Sequence, residues 1–221
     1  MSKMNQSSAK TTSYSNDLQK AINGQINNEI CASHEYFQLA WSCARDENAL
    51  HGFKEFFLNF AHQRFCDAMC LSSYQTVRGG HVEVSETRAP KLNWKGAEET
   101  FKKLLELEKG ISDDLNKLDD TADKTGDRAA ANFIENKLLA KQTCRVKIIA
   151  DMLTQIKRVS GEGTGLFQLD LVLKKNCGIP PWDERHDDYR REHGHGREHE
   201  REHERIAAFH ERFAANLNLK N

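Results

Sequence analysis

The sequence predicts an all-α fold, a four-helix bundle with a long crossover between the second and third helices and a short fifth helix. Three observations carry this expectation. Four long segments repeat their apolar residues at helical spacing, and no segment has the alternation of a strand. The links within the first pair and within the second pair are short. The link between the pairs, through Asn93, is long, lacks a helical period and contains Pro90. Two helices joined closely, a long connection and two more helices make a bundle with one crossover.

The elements follow in order. Residues 1–14 are polar and read as a disordered tail. A helix begins at Asn16 with the stripe Ile22, Ile26, Glu29, Ser33, Tyr36, Ala40 and Cys43, ending near Arg45–Asn48. The second starts near Ala49 and carries Phe53, Phe56, Phe57, Phe60, Arg64, Asp67, Leu71 and Tyr74. It closes at Val77, where Gly79 and Gly80 stop it. The third starts near Trp94 and aligns Ala97, Phe101, Leu104, Glu108, Ile111, Leu115 and Leu118. Thr125-Gly126-Asp127 makes a turn, and the fourth runs from Arg128 to Val159 through Leu138, Gln142, Arg145, Ile149, Met152 and Ile156. A short fifth helix covers Leu166–Lys175, so the bundle is expected over 15–176.

Composition narrows the function classes. The 221 residues are 29% charged with a formal net charge of -1, so there is no basic signal for DNA. No apolar run approaches the ~20 residues that span a bilayer. The N-terminus lacks the apolar stretch of a secretory signal, which predicts a cytoplasmic protein. Six cysteines show no CxxC pairing and read as reduced thiols buried as small apolar groups.

Each long stripe carries polar groups near its midpoint: Glu29 and Tyr36, Arg64 and Asp67, Glu108, and Gln142 with Arg145. At matching depth on four helices they would meet at the bundle centre, where such folds build di-iron carboxylate sites. A charge buried there needs partners on neighbouring helices.

The phrases AINGQINNEICASHEY, ARDENALHGFKEFF, RGGHV, DKTGD and NFIENKLL followed by KQ resemble the ferritin family, in helix order from about Ser13 to Lys175. The resemblance implies a hollow 24-subunit cage that oxidises and stores iron, formed from this chain alone or together with other ferritin subunits. Its fifth helix would line the four-fold pores. It also implies that Glu29, Glu108 and Gln142 are remnants of a ferroxidase centre with Tyr36 beside them. Where active members read Glu-Glu-x-x-His, this chain reads Gln63-Arg64-Phe65-Cys66-Asp67. Arg64 replaces a bridging glutamate, Asp67 a histidine that binds metal, and Arg145 a small residue. Arginine stays protonated and cannot act as a ligand. Arg64 and Arg145 are therefore expected to plug the site, with Asp67 the one residual metal candidate of the second helix. The cavity-facing patch that nucleates mineral in light-type subunits falls at Gln63, Cys66 and Met69, none of them acidic. A three-fold pore is implied at Glu135, with Asn132 in place of its aspartate partner and Asp119 nearby.

Residues 177–221 match no part of that family. This extension repeats Arg-Glu-His and holds six of the ten histidines, with His199 and His203 at the i, i+4 spacing that can hold a divalent metal. The blocked centre and the added tail also look like artemin, a ferritin relative, which implies a stress-protective cage acting on client proteins or RNA without storing iron.

Overall fold

The structure is a computed structural model that describes residues 9–10, 14–159 and 163–183. Among these residues all regular structure is helical: α1 (Asn16–Ala44), α2 (His51–Val77), α3 (Ala97–Lys124), α4 (Arg128–Ile134), a π-helical turn (Glu135–Leu139), α5 (Ala140–Arg158) and α6 (Gly163–Lys175). Four long rods form the bundle, the fourth being α4, the π turn and α5 in succession. The chain divides into units 1–178 and 179–221. Of the second only Ile179–Asp183 is described, a turn in which Asp183 N donates to Pro180 O at 3.0 Å.

Helix boundaries depart from the sequence reading where backbone geometry overrides periodicity. α2 starts at His51 rather than near Ala49, because Ala49 has a left-handed φ of 51° that no helix interior tolerates. α3 starts at Ala97 rather than Trp94, because Gly96 holds φ 101°, a value glycine alone adopts without strain. α6 reaches back from Leu166 to Gly163, its first turn built from Gly and Thr that carry no apolar period. The fourth rod is not uniform: the wide turn at Glu135–Leu139 lies within it, and the stripe from Leu138 through Gln142 and Arg145 gives no sign of it.

The N-terminal boundary is corrected too. Tyr14, assigned to the tail, is buried, and its hydroxyl donates to Gln75 Oε1. Arg78 stacks on the Tyr14 ring, its guanidinium carbon 4.8 Å from the centroid, and pairs with both carboxylate oxygens of Asp127 at 3.1 and 2.6 Å. Asp127 also caps α4 by accepting from Ala130 N at 3.0 Å. One arginine thus joins the chain start, the end of α2 and the α3–α4 turn. Residues 1–8 and 11–13 of the expected tail lie outside the described residues.

The crossover runs alongside α1. Near its start, Asn23 Nδ2 donates to His81 O at 3.0 Å; near its end, Lys91 N and Leu92 N donate to Glu35 Oε2 at 2.8 Å each. The twelve positions from Asn23 to Glu35 span about 18 Å of helix at 1.5 Å per residue. Trp94 then packs on Phe53 and Phe57 with centroids 5.4 and 6.3 Å away.

Two apolar regions fill the bundle. One is aromatic, with Phe53, Phe56 and Phe57 each in ring contact with Phe101. The other gathers Tyr14, Leu18, Ile22, Ile26, Leu71, Leu115, Leu118, Ile134 and Leu138. Between them along every rod lie the buried polar residues Glu29, Arg64, Asp67, Glu108, Gln142 and Arg145. α6 docks on the start of α2, which has no side-chain cap of its own; Asp170 supplies one by accepting from Phe53 N at 2.9 Å.

That docking depends on Gly52. A Cβ there would lie 2.0 Å from the Asp170 carbonyl oxygen and 2.7 Å from Lys174 N, both backbone atoms. Gly52→Ala is expected to push α6 off α2 and cost about 1–3 kcal/mol in denaturant unfolding, as overpacking does. Parent-like stability would show that the contact has slack.

Candidate functional site

The helical period carries the same stripes that bury the core through the bundle centre, which is why charged groups become buried there. Arg64 of α2 is fully buried. Its Nη1 donates to Glu29 Oε2 of α1 at 2.9 Å, and its Nη2 donates to Glu108 Oε2 of α3. One guanidinium therefore spans two carboxylates on two other helices, in the fork geometry that suits arginine.

The carboxylates have further partners. Glu29 Oε1 accepts from Gln25 Nε2 at 2.7 Å. Glu108 Oε1 accepts from the Tyr36 hydroxyl at 2.5 Å, and its Oε2 accepts from Gln142 Nε2 at 2.8 Å. Gln142 Nε2 also donates to the Glu108 backbone carbonyl at 2.8 Å. All four oxygens of the two acids are engaged by protein donors. Burial alone would lower the Arg64 pKa, but Glu108 and then Glu29 outweigh it and leave it raised. The Tyr36 phenol is pushed well above its ordinary range, first by burial and then by the Glu108 charge.

Asp67 belongs to a second, adjoining pair. Arg145 Nη1 lies 2.5 Å from Asp67 Oδ2, and Lys141 Nζ lies 3.2 Å from Asp67 Oδ1. Arg145 Nε donates to Gln63 Oε1 at 3.4 Å. Both arginines point inward, and Asp67 is turned to different cations from Glu29 and Glu108. Every residue that the sequence assigned to the bundle centre is in this layer. The sequence reading missed Gln25 and Lys141, and it set Gln63 in the cavity-facing patch, whereas Gln63 accepts from Arg145. Gln25 sits one helical turn before Glu29, a spacing that could have suggested the contact. Lys141 could not be found that way, because its half-exposed stem only reaches inward at its tip.

The layer is closely balanced. Glu29, Asp67 and Glu108 face Arg64, Arg145 and Lys141, three charges of each sign. Arg64 Nε and Gln142 Oε1 are the buried atoms of this layer left without a hydrogen-bond partner. A di-iron centre does not fit these residues as they stand. The oxygens that would bind metal accept from Arg64, Tyr36, Gln25 and Gln142, and no imidazole is among them.

The cysteine expectation needs correction. Cys31 and Cys43 are buried, whereas Cys66, Cys70 and Cys177 are partly exposed and Cys144 is exposed. Cys66, Cys70 and Cys144 lie off the buried stripes of α2 and α5, and Cys177 lies in the turn past α6, where its carbonyl accepts from Asn59 Nδ2 at 2.7 Å. Asp119 and Glu135 do come together. Burial first, and the Glu135 charge second, raise the Asp119 carboxyl above its usual range. Asp119 Oδ1 has no hydrogen-bond partner. Asn132 is exposed on α4, just before the π turn that bears Glu135. His199 and His203 lie outside the described residues. No helix of the described residues is long and apolar enough to cross a membrane.

Comparison with known proteins agrees with the helical fold. Residues 19–159 match the Ferritin family, described as a ferritin-like domain. Among similar proteins, "Ferritin-1 heavy chain" of Schistosoma mansoni is 33% identical over 158 residues, 71% of this chain and 91% of that protein. "Ferritin-2 heavy chain" of the same organism is 34% identical over 165 residues, 74% of this chain and 95% of that protein. "Soma ferritin" of Lymnaea stagnalis is 32% identical over 158 residues, 71% and 90% of the two chains.

Two outcomes test the layer. Arg64→Ala leaves Glu29 and Glu108 buried without their shared cation, and is expected to cost ~3–5 kcal/mol in denaturant unfolding. A loss below about 1 kcal/mol would mean that water screens the site. The Tyr36 phenol has a folded pKa above its unfolded value of ~10, so its contribution is complete below that pH and lost as pH rises. Above pH ~10 the parent should therefore lose stability faster than Tyr36→Phe, by up to ~1.4 kcal/mol per pH unit. Parallel curves would show that Tyr36 ionises freely in the fold.

Proposed function

The chain belongs to the ferritin family, and from that premise we propose that it is a subunit of a 24-chain iron-storage cage whose own ferroxidase centre has been silenced. The observation that carries this reading is Arg64, which holds Glu29 and Glu108 together where the family would hold iron. Magnitude favours it. Two unit charges 4 Å apart interact by ~4 kcal/mol at an effective dielectric constant of 20, so a divalent ion beside one guanidinium meets about twice that. It would also have to displace the hydrogen bonds that already satisfy both carboxylates.

In this reading Arg64 and Arg145 take over the structural task of metal. They neutralise carboxylates that the bundle inherits and hold the four rods in register. Iron is cargo, reaching the cavity through pores where Asp119 and Glu135 offer diminished attraction for cations, because Asn132 adds no charge. Oxidation would come from other subunits of a mixed cage or proceed slowly without a catalytic centre. The cytoplasm is the compartment that fits such a role. An artemin-like cage that protects client proteins or RNA is the competing outcome of the same experiments.

Restoring the centre tests the proposal directly. The variant carrying Arg64→Glu, Asp67→His and Arg145→Ala is expected to gain oxygen-dependent ferrous oxidation well above the parent, at least tenfold in initial rate. If a folded triple variant gains none, the arginines are not what silences the site. Cages loaded aerobically with ferrous ion and stained for iron and protein after native electrophoresis separate the two roles. A parent that takes up no iron even in mixed cages with active subunits, yet suppresses client aggregation on heating, would replace storage with protection.

A further inference from the structure

The cysteines that the core does not absorb are not scattered. His62, Cys66, Met69 and Cys70 stand at i, i+4, i+7 and i+8 of α2, one stripe of a helix. This stripe lies off the buried face that carries Arg64 and Asp67: His62 is exposed, Cys66 and Cys70 are partly exposed and Met69 is half-exposed. It presents an imidazole, two thiols and a thioether to the same side. Hard oxygen donors are absent from these four positions, and sulfur with imidazole is the donor set that selects soft ions.

The distances single out one pair. Cys66 Sγ lies 3.7 Å from His62 Nε2 and 3.9 Å from Nδ1. A typical metal–thiolate bond is ~2.3 Å and a metal–imidazole bond ~2.0 Å. An ion held by both sets sulfur and nitrogen about 3.5 Å apart at a tetrahedral angle and about 4.3 Å apart in a linear pair, from those bond lengths. The observed separation falls between the two, and since the sulfur is nearly equidistant from both ring nitrogens, a turn of the exposed imidazole aims one of them at a shared ion. Among the described residues no three His, Cys, Asp or Glu side chains converge as a metal site. His62 and Cys66 themselves offer two ligands, an imidazole and a thiol, which suits an ion content with two.

We infer that His62 and Cys66 form a binding site for a soft monovalent cation, Cu(I) in the first place, flanked by the Met69 thioether and the Cys70 thiol. Binding replaces the thiol proton: Cys66 S–H loses H⁺ to solvent, the sulfur bonds the metal, and the His62 ring donates a nitrogen lone pair. Nothing is oxidised or reduced. The site is distinct in donor chemistry and in helix face from the carboxylate layer, and it does not depend on whether the chain stores iron.

The test uses the full chain, assembled and reduced, with Cu(I) kept by ascorbate without oxygen and competed against bicinchoninate. The parent is expected to hold one Cu(I) more per chain than Cys66→Ser. His62→Ala should weaken that ion at least tenfold, while Cys144→Ser should change nothing. Alkylation with iodoacetamide followed by peptide mass spectrometry should find Cys66 protected by one equivalent of Cu(I) and Cys144 still reactive. Parent-like Cu(I) binding in Cys66→Ser, or binding unaffected by His62→Ala, overturns the assignment. So does protection spread equally over all exposed cysteines, which would mean undirected thiol binding. Both changes sit on a solvated helix face, so the variants are expected to fold, and their circular dichroism and cage elution check it.

Discussion

The contact of Arg64 with Glu29 and Glu108 is the constraint around which the bundle is arranged. Three helices bring their charges to one point, 0–1% exposed, and none can leave without stranding another. Removing an ion from water costs several kcal/mol even after relaxation, so an isolated carboxylate at this depth would oppose folding. The guanidinium meets that cost with short, directed hydrogen bonds, and Tyr36, Gln25 and Gln142 add further donors to the same two carboxylates. The fourth rod enters through Gln142 and, via Asp67, through Arg145. A metal site would knit the same four rods through coordination; here arginine does it through hydrogen bonds.

Specificity follows from the same arrangement. The apolar regions on either side of the layer could tolerate small slides of one rod on another, because a Leu or Phe surface is forgiving. A fork whose two nitrogens face oxygens on different helices is not. A slip of one residue rotates a helical side chain by about 100° and breaks both contacts. The Arg78–Asp127 pair does comparable work at one end of the bundle, and the Asp170 cap of α2 at the other. The polar contacts set register, and the aromatic and aliphatic clusters supply most of the buried apolar area.

Much of this was legible in the chain. The stripes in α1, α3 and α5 named residues that are all buried, and the polar residues at mid-stripe are those that meet. Legibility failed where backbone geometry or a neighbour decides. Ala49 and Gly96 moved helix starts through φ values that composition does not reveal, and the π turn at Glu135 left the spacing unchanged. Tyr14 looked like tail because its partners, Gln75 and Arg78, lie a full helix pair away. The cysteines were misjudged as a class, since burial depends on which face of a helix a residue occupies. Pairings inside the layer were also beyond reach. Sequence could place two arginines against three acids but not assign Arg64 to Glu29 and Glu108, and Arg145 to Asp67.

These assignments bear on how a helical bundle can keep several acids buried at its centre. Deleting metal ligands from a buried carboxylate site leaves repelling acids in the core. Simple replacement of the acids by apolar residues would need coordinated repacking of several rods. Introducing a cation at Arg64 answers the repulsion between Glu29 and Glu108 in one step, because its two terminal nitrogens serve two acids. Asp67 is served by different cations, Arg145 and Lys141. The second pair is separate from the first: the two terminal nitrogens of Arg64 face Glu29 and Glu108, and Asp67 is turned instead to Arg145 and Lys141. The two pairs share one charge balance, three acids against three cations, and reversing Arg64 alone would leave that balance broken in the core.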